Sequence, residues 1–189
     1  MKEIYIVLTR SKTLLSNTIY LLSSFDYTHA SIAFDSNIDE MYSIGRKYTF
    51  SSYPAHMKKE YIDKGFFHYH KSAKIGLYSV QVSDSSFIKM KNYVEELFKN
   101  NTKLKFSLLG IFYCRFGKAV KRKNKMFCSE FVCSVLKQAD EELIDKSPEM
   151  CSPMDLLNTK GIKKLYTGKI SDLVEIKKHH QLKDIYITK

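Results

Sequence analysis

Four cysteines and six histidines are the residues of this 189-residue chain best suited to nucleophilic chemistry. Cys128 stands where a basic stretch gives way to an apolar helical pattern, in the string Lys125-Met126-Phe127-Cys128-Ser129-Glu130-Phe131-Val132. At a helix start the first N–H groups lack intrahelical partners, and the positive end of the helix dipole favours an anion. Such placement lowers a thiol pKa from about 8.5 into a range of roughly 3.5–7.5. The same N–H groups suit the oxyanion formed when a thiolate attacks a carbonyl. A free cysteine is more often a small core residue. That reading is kept for Cys133, five residues further along the same helix. Cys114 falls in an apolar helix and Cys151 in a polar loop, neither with a helix start or a base to activate it.

A thiol nucleophile also needs a base, usually a histidine held by a third polar group. In Thr28-His29-Ala30-Ser31-Ile32-Ala33-Phe34 the alternation predicts a strand, with Ile32 and Phe34 on one face. His29, Ser31 and Ala33 fall on the other, and the small neighbours leave room for a helix end beside the imidazole. The orienting residue is expected on the returning strand, Asp39 to Ile44. Ser43 lies across from His29 if the turn centres on Ser36. Glu40 or Tyr42 shares that face if the register slips by one, and a slip of one swaps the faces. Ser43 is preferred because Glu40 is nearer the turn. His68 and His70 alternate on one predicted strand, but no third ligand accompanies them, so no metal and no cofactor are expected.

The elements that must position these residues follow from hydrophobic period. Strands are predicted at Glu3–Thr9, His29–Phe34, Asp39–Ile44, Phe66–His70 and Ile75–Val82, with Gly76 marking a bulge or a close approach. Helices are predicted at Lys12–Ser23, capped by Ser11 or Ser16, and at Ser83–Asn100, capped by Asp84 or Ser85. Two more are predicted at Leu104–Phe116 and Cys128–Ala139. Residues 46–64, polar and containing Pro54, read as a surface loop. Ser152-Pro153 starts a short helix over Met154–Leu157. The tail from Asp172 is Lys-rich, with a possible strand at Ile185–Ile187.

The chain is 44% hydrophobic with three prolines and seven glycines, which leaves little room for linkers and predicts a single domain over residues 1–189. No CxxC pair is present, and a core of this size needs no disulfide staples. Reduced thiols in a cytoplasmic setting are therefore expected. The opening apolar run is too short for a signal-peptide core, and no stretch has the ~20 apolar residues of a membrane span. A net charge of +11 favours anionic partners, whether nucleic acid, anionic lipid or acidic polymer. Arg115, Lys118, Lys121, Arg122, Lys123 and Lys125 precede Cys128 without an intervening acid, so they favour the thiolate and draw anionic substrates. No nucleic-acid-binding motif accompanies the charge, and nucleic acid is not expected as a partner.

A strand-borne histidine that precedes a helix-start cysteine reverses the papain order. With THASIAF followed by FCSEFV, it resembles the circularly permuted branch of the NlpC-type papain-like cysteine peptidase superfamily. The YiiX-like and lecithin retinol acyltransferase-like proteins belong to that branch. The resemblance runs from about Ile4 to about Gly168, and Ser152-Pro153-Met154-Asp155-Leu156 looks like the family's capping segment after the cysteine helix. It implies Cys128 as nucleophile and His29 as base. The family's third position, commonly His or Glu on the next strand, is here occupied by Met41-Tyr42-Ser43-Ile44-Gly45. Family members cleave amide bonds in cell-wall peptides or transfer acyl groups through a thioester.

The expectation is an α+β, permuted papain-like domain, a small antiparallel sheet packed against helices that include the Cys128 helix. Its function is that of a thiol hydrolase or acyltransferase on an amide or ester, a cell-wall peptide or a lipid, with Cys128, His29 and Ser43 at the site. The alternatives are a non-catalytic binding module on the same fold and a basic protein for nucleic acid or anionic membrane.

Overall fold

The computed structural model describes residues 1–13, 16–17, 20–21, 25–46, 55–99, 105–107, 110–111, 114, 116–119 and 125–179. The chain is α+β. Six antiparallel strands form one sheet in the order β4-β3-β2-β1-β5-β8, and four α-helices accompany it among the described residues. The strands are β1 (Lys2–Arg10), β2 (His29–Ala33), β3 (Met41–Arg46), β4 (Ala55–Glu60), β5 (Lys74–Val82) and β8 (Lys163–Lys169). Two-residue strands β6 (Lys105–Phe106) and β7 (Lys125–Met126) pair in parallel beside it. The helices are α1 (Gly65–Tyr69), α2 (Asp84–Lys99), α3 (Cys128–Leu136) and α4 (Ile170–His179).

β1 is the spine. Its IYIVL run is buried on both faces, as a strand covered on two sides must be. Ile4, Ile6 and Leu8 join Ala30, Ile32, Ile44 and Met57 in the core under α2 and α3. Tyr5 and Val7 join Ala33, Met41, Ile75 and Leu77 in a second core with Phe67 of α1 and Ile170 and Leu173 of α4. Strand alternation thus sorts β2 as its sequence implies, with Ile32 and Phe34 on one side and Ala33 on the other. All nine residues of α3 are buried, and the helix packs on β2 and β3. Removing side chains such as Phe131, Val132, Val135 and Leu136 from water contributes about 1.5–3 kcal/mol each.

Several elements differ from the sequence expectation. Residues 55–60 are not loop but β4, paired with β3 from Met41↔Glu60 to Arg46↔Ala55. Gly65 adopts φ +56 and the following Phe66–Tyr69 coil into α1 rather than a strand, which seats Phe67 in the second core. There the aromatic preference for strands yields to tertiary packing. Lys163–Lys169 forms β8, a Lys-rich strand on the sheet edge, where charge discourages edge-to-edge pairing. Part of the Lys-rich tail is α4, held by Ile170 and Leu173. Ser152-Pro153 leads into a 3-10 turn at Asp155–Asn158 rather than an α-helix; Asp155 Oδ2 accepts from the Ser152 amide at 2.8 Å and the Ser152 hydroxyl at 2.6 Å. Half of Lys12–Ser23, six of the thirteen residues of Leu104–Phe116 and the Ile185–Ile187 segment lie outside the described residues, and at the start of the second stretch Lys105–Phe106 is strand β6 rather than helix. Gly76 is a close approach: an added Cβ would meet the Tyr27 hydroxyl at 2.6 Å. No helix among the described residues is long and apolar enough to cross a membrane.

Candidate active site

Cys128 is the first residue of α3, preceded by extended Phe127. Glu130, in the first turn, accepts a hydrogen bond from the Phe127 amide at 3.2 Å, and this fixes where the helix begins. The thiol is only 3% exposed. Ser129 beside it is fully buried, and its hydroxyl has no hydrogen-bond partner among the described residues.

His29 opens β2. Its backbone is placed by pairing with Thr9 at the far end of β1, and the Thr28 amide continues the ladder to the Thr9 carbonyl at 3.0 Å. The imidazole is half-buried and meets two partners. Nε2 lies 2.9 Å from Glu60 Oε2 and 3.2 Å from Oε1, and the ring also hydrogen-bonds the Cys128 side chain. Burial works against the protonated ring. The Glu60 charge and the hydrogen bonds with Cys128 and Glu60 outweigh it and push the imidazole from 6.5 up to about 10.

Glu60 closes β4 and is nearly inaccessible, with 4% of its side chain exposed. Besides His29, its Oε2 accepts from the Ser31 hydroxyl at 2.6 Å, and its Oε1 lies 3.1 Å from Lys58 Nζ. Burial alone would raise its pKa, but the charges of His29 and Lys58 and the Ser31 hydroxyl hold the carboxyl well below the usual range. Gly45 makes the floor of this cluster. A Cβ there would stand 3.0 Å from Lys58 Cε and 3.5 Å from both Glu60 Oε1 and His29 Cε1.

The structure therefore brings Cys128 and His29 together and puts Glu60, not Ser43, on the imidazole. The β2–β3 register runs through Ile32↔Tyr42 and Ala33↔Met41, which centres the turn one residue later than Ser36 and levels His29 with Gly45. Ser43 sits two residues short of that and donates its hydroxyl to the Ala30 carbonyl at 2.6 Å, within the sheet. Tyr42 donates to Glu40, whose carboxylate also pairs with Lys59 at 2.8 Å, so neither is the orienting group. Glu60 escapes a sequence reading because a polar strand on the sheet edge resembles a loop. The available signal was its isolation: it is the one carboxylate between Glu40 and Asp63.

Two of the three remaining thiols, Cys133 and Cys151, meet each other. Cys133 donates to the Lys146 carbonyl at 3.6 Å and Cys151 to the Ser152 carbonyl at 3.7 Å. Cys151 is fully buried rather than in a polar loop. A hydrogen bond with Cys133, then burial, push its thiol far up. His68 and His70 flank Tyr69 at the end of α1, His70 against the Phe66 ring, and no group of three metal-type side chains occurs among the described residues. Of the basic stretch, Lys118 and Lys125 are exposed; Arg115, Lys121, Arg122 and Lys123 lie outside the described residues. No family model and no curated protein sequence matches the chain.

Proposed function

We propose that this protein is a cysteine hydrolase or acyltransferase of the circularly permuted papain-like kind, acting on an amide or ester through an acyl-enzyme on Cys128. The observation that carries the reading is the meeting of three side chains from three elements. Cys128 from the start of α3 and Glu60 from β4 both bond the His29 ring of β2. A basic imidazole beside a thiol favours the thiolate–imidazolium pair, and the positive end of the helix dipole adds to it. The thiolate attacks the substrate carbonyl carbon, and the developing oxyanion falls to the N–H groups at the helix start. Collapse breaks the C–N or C–O bond, and the leaving group takes the imidazolium proton. The thioester that remains passes its acyl group to water or another acceptor, deprotonated by the now neutral His29. Glu60 keeps the ring oriented throughout.

Iodoacetamide tests the pair without a known substrate. Cys128 should be alkylated at neutral pH at least tenfold faster than a free thiol such as glutathione, and His29→Gln should remove the advantage. Alkylation no faster than glutathione, or insensitive to His29→Gln, rejects the reading.

A further inference from the structure

The Glu60 carboxylate serves three donors, and only two of them belong to β2. Ser31 and His29 share Oε2, while the third, Lys58, reaches Oε1 from two residues upstream on β4 itself. His29 Nε2 is also 3.2 Å from Oε1, so the ammonium and the imidazole compete for one oxygen. Lys58 is not a freely solvated lysine. Its side chain is 25% exposed, and its stem crosses the space left open by Gly45 beside the imidazole. Like-charged groups sharing one counter-charge each lower the other's hold on a proton.

We propose that Lys58 is a positioning residue that draws Glu60 charge away from His29, so that the imidazolium releases its proton when the leaving group departs. This rests on the cysteine–histidine–glutamate reading above. The step it serves balances simply: the electrons of the breaking C–N or C–O bond go to the leaving atom, the His29 proton goes with them, and the ring becomes neutral. A carboxylate that belonged wholly to His29 would favour the thiolate–imidazolium pair but make the imidazolium a poor acid, and general acids work best with a pKa near the working pH. Among the described residues, the charged or titratable groups around His29 are Glu60 and Lys58 from β4 and Cys128 from α3, with His56 on the same face of β4 opposite Gly45. β1 presents Thr9 and β3 presents Gly45, neither of which titrates.

The sign of one measurement decides. His29 is followed by NMR in histidine-labelled protein, assigned by the signal missing from His29→Gln. Lys58→Met, which keeps the stem and removes the charge, should move the His29 titration upward by about half a pH unit or more. Lys58→Gln should do the same, and Lys58→Arg should leave the titration in place. A structural role predicts the opposite, since a loosened site lets His29 fall toward its ordinary value of about 6.5. No shift, or a downward one, in Lys58→Met and Lys58→Gln overturns the proposal. In acylation of Cys128 by acetate esters, Lys58→Met should slow phenyl acetate at least threefold more than p-nitrophenyl acetate, whose leaving group needs no proton. Equal slowing of the two counts against it. Failure of wild-type Cys128 to acylate or alkylate faster than glutathione would reject the enzyme reading instead, and the NMR titration would still decide the role of Lys58.

Discussion

One nine-residue helix carries two buried thiols with opposite surroundings. Cys128 begins α3 beside a charged imidazole, and Cys133, five residues on, lies against a second thiol and a backbone carbonyl. Burial does not separate them, since both are almost wholly inaccessible. Their neighbours do. The first supplies an imidazole held by a carboxylate, at the start of a helix. The second supplies a backbone carbonyl and the Cys151 thiol, which Cys133, burial and the Asp155 carboxylate push far up. Low exposure alone therefore identifies neither a reactive nor an inert cysteine.

The most severe way to break this contrast is Glu60→Gln. Without the carboxylate the His29 pKa should fall toward about 6.5, and Cys128 alkylation near pH 6 should slow by about tenfold or more. Stability should follow with a defined sign. His29, whose pKa is raised, adds stability fully present below 6.5 and lost as pH climbs toward about 10. Glu60, whose pKa is lowered, adds stability present above 4.5 and lost in acid. The Tm difference between wild type and Glu60→Gln should thus be widest between pH 4.5 and 6.5 and close as pH nears 10. A difference that does not depend on pH would remove the ion pair from the account.

A smaller effect is expected from Gly45→Ala. The new methyl group crowds Lys58 Cε at 3.0 Å, and a lysine stem can move aside. Cys128 alkylation should change only about threefold while the fold persists, as circular dichroism would show. The smallest effect on the site belongs to Cys151→Ala. It should cost stability, about 1–2 kcal/mol by denaturant titration for a small buried side chain, and leave the Cys128 alkylation rate within about twofold. Mass mapping should also find Cys133 and Cys151 unlabelled until the protein is unfolded. A labelled Cys133 in native protein would erase the distinction.

What was legible in the sequence followed from local rules. The start of α3 at Cys128 was readable from the switch between a basic stretch and an apolar helical period. The face of β2 that carries His29 and Ser31 was readable from alternation. The third residue was not, for two physical reasons. Hairpin register is set by the turn, and a centre one residue later put Gly45 level with His29 in place of Ser43. β4 also buries little on its own account: in AHMKKE only Met57 offers an apolar side chain larger than alanine, and Glu60 is buried by partners from other strands. Such a strand carries no periodic hydrophobic signal. Phe66–Tyr69 failed in the opposite direction, because its aromatic residues advertise a strand that packing around Phe67 overrides.

The place of β4 in the sheet has its own consequence. It is one of the two outer strands, hydrogen-bonded within the sheet to β3 alone, yet it carries the carboxylate that holds the imidazole. Edge elements open locally at a lower free energy than the global unfolding of a central strand such as β1. Warming or mild denaturant should therefore separate Glu60 from His29 while most of the protein is still folded. The lifetime of the His29–Glu60 contact is then a property of the β3–β4 pair rather than of the core.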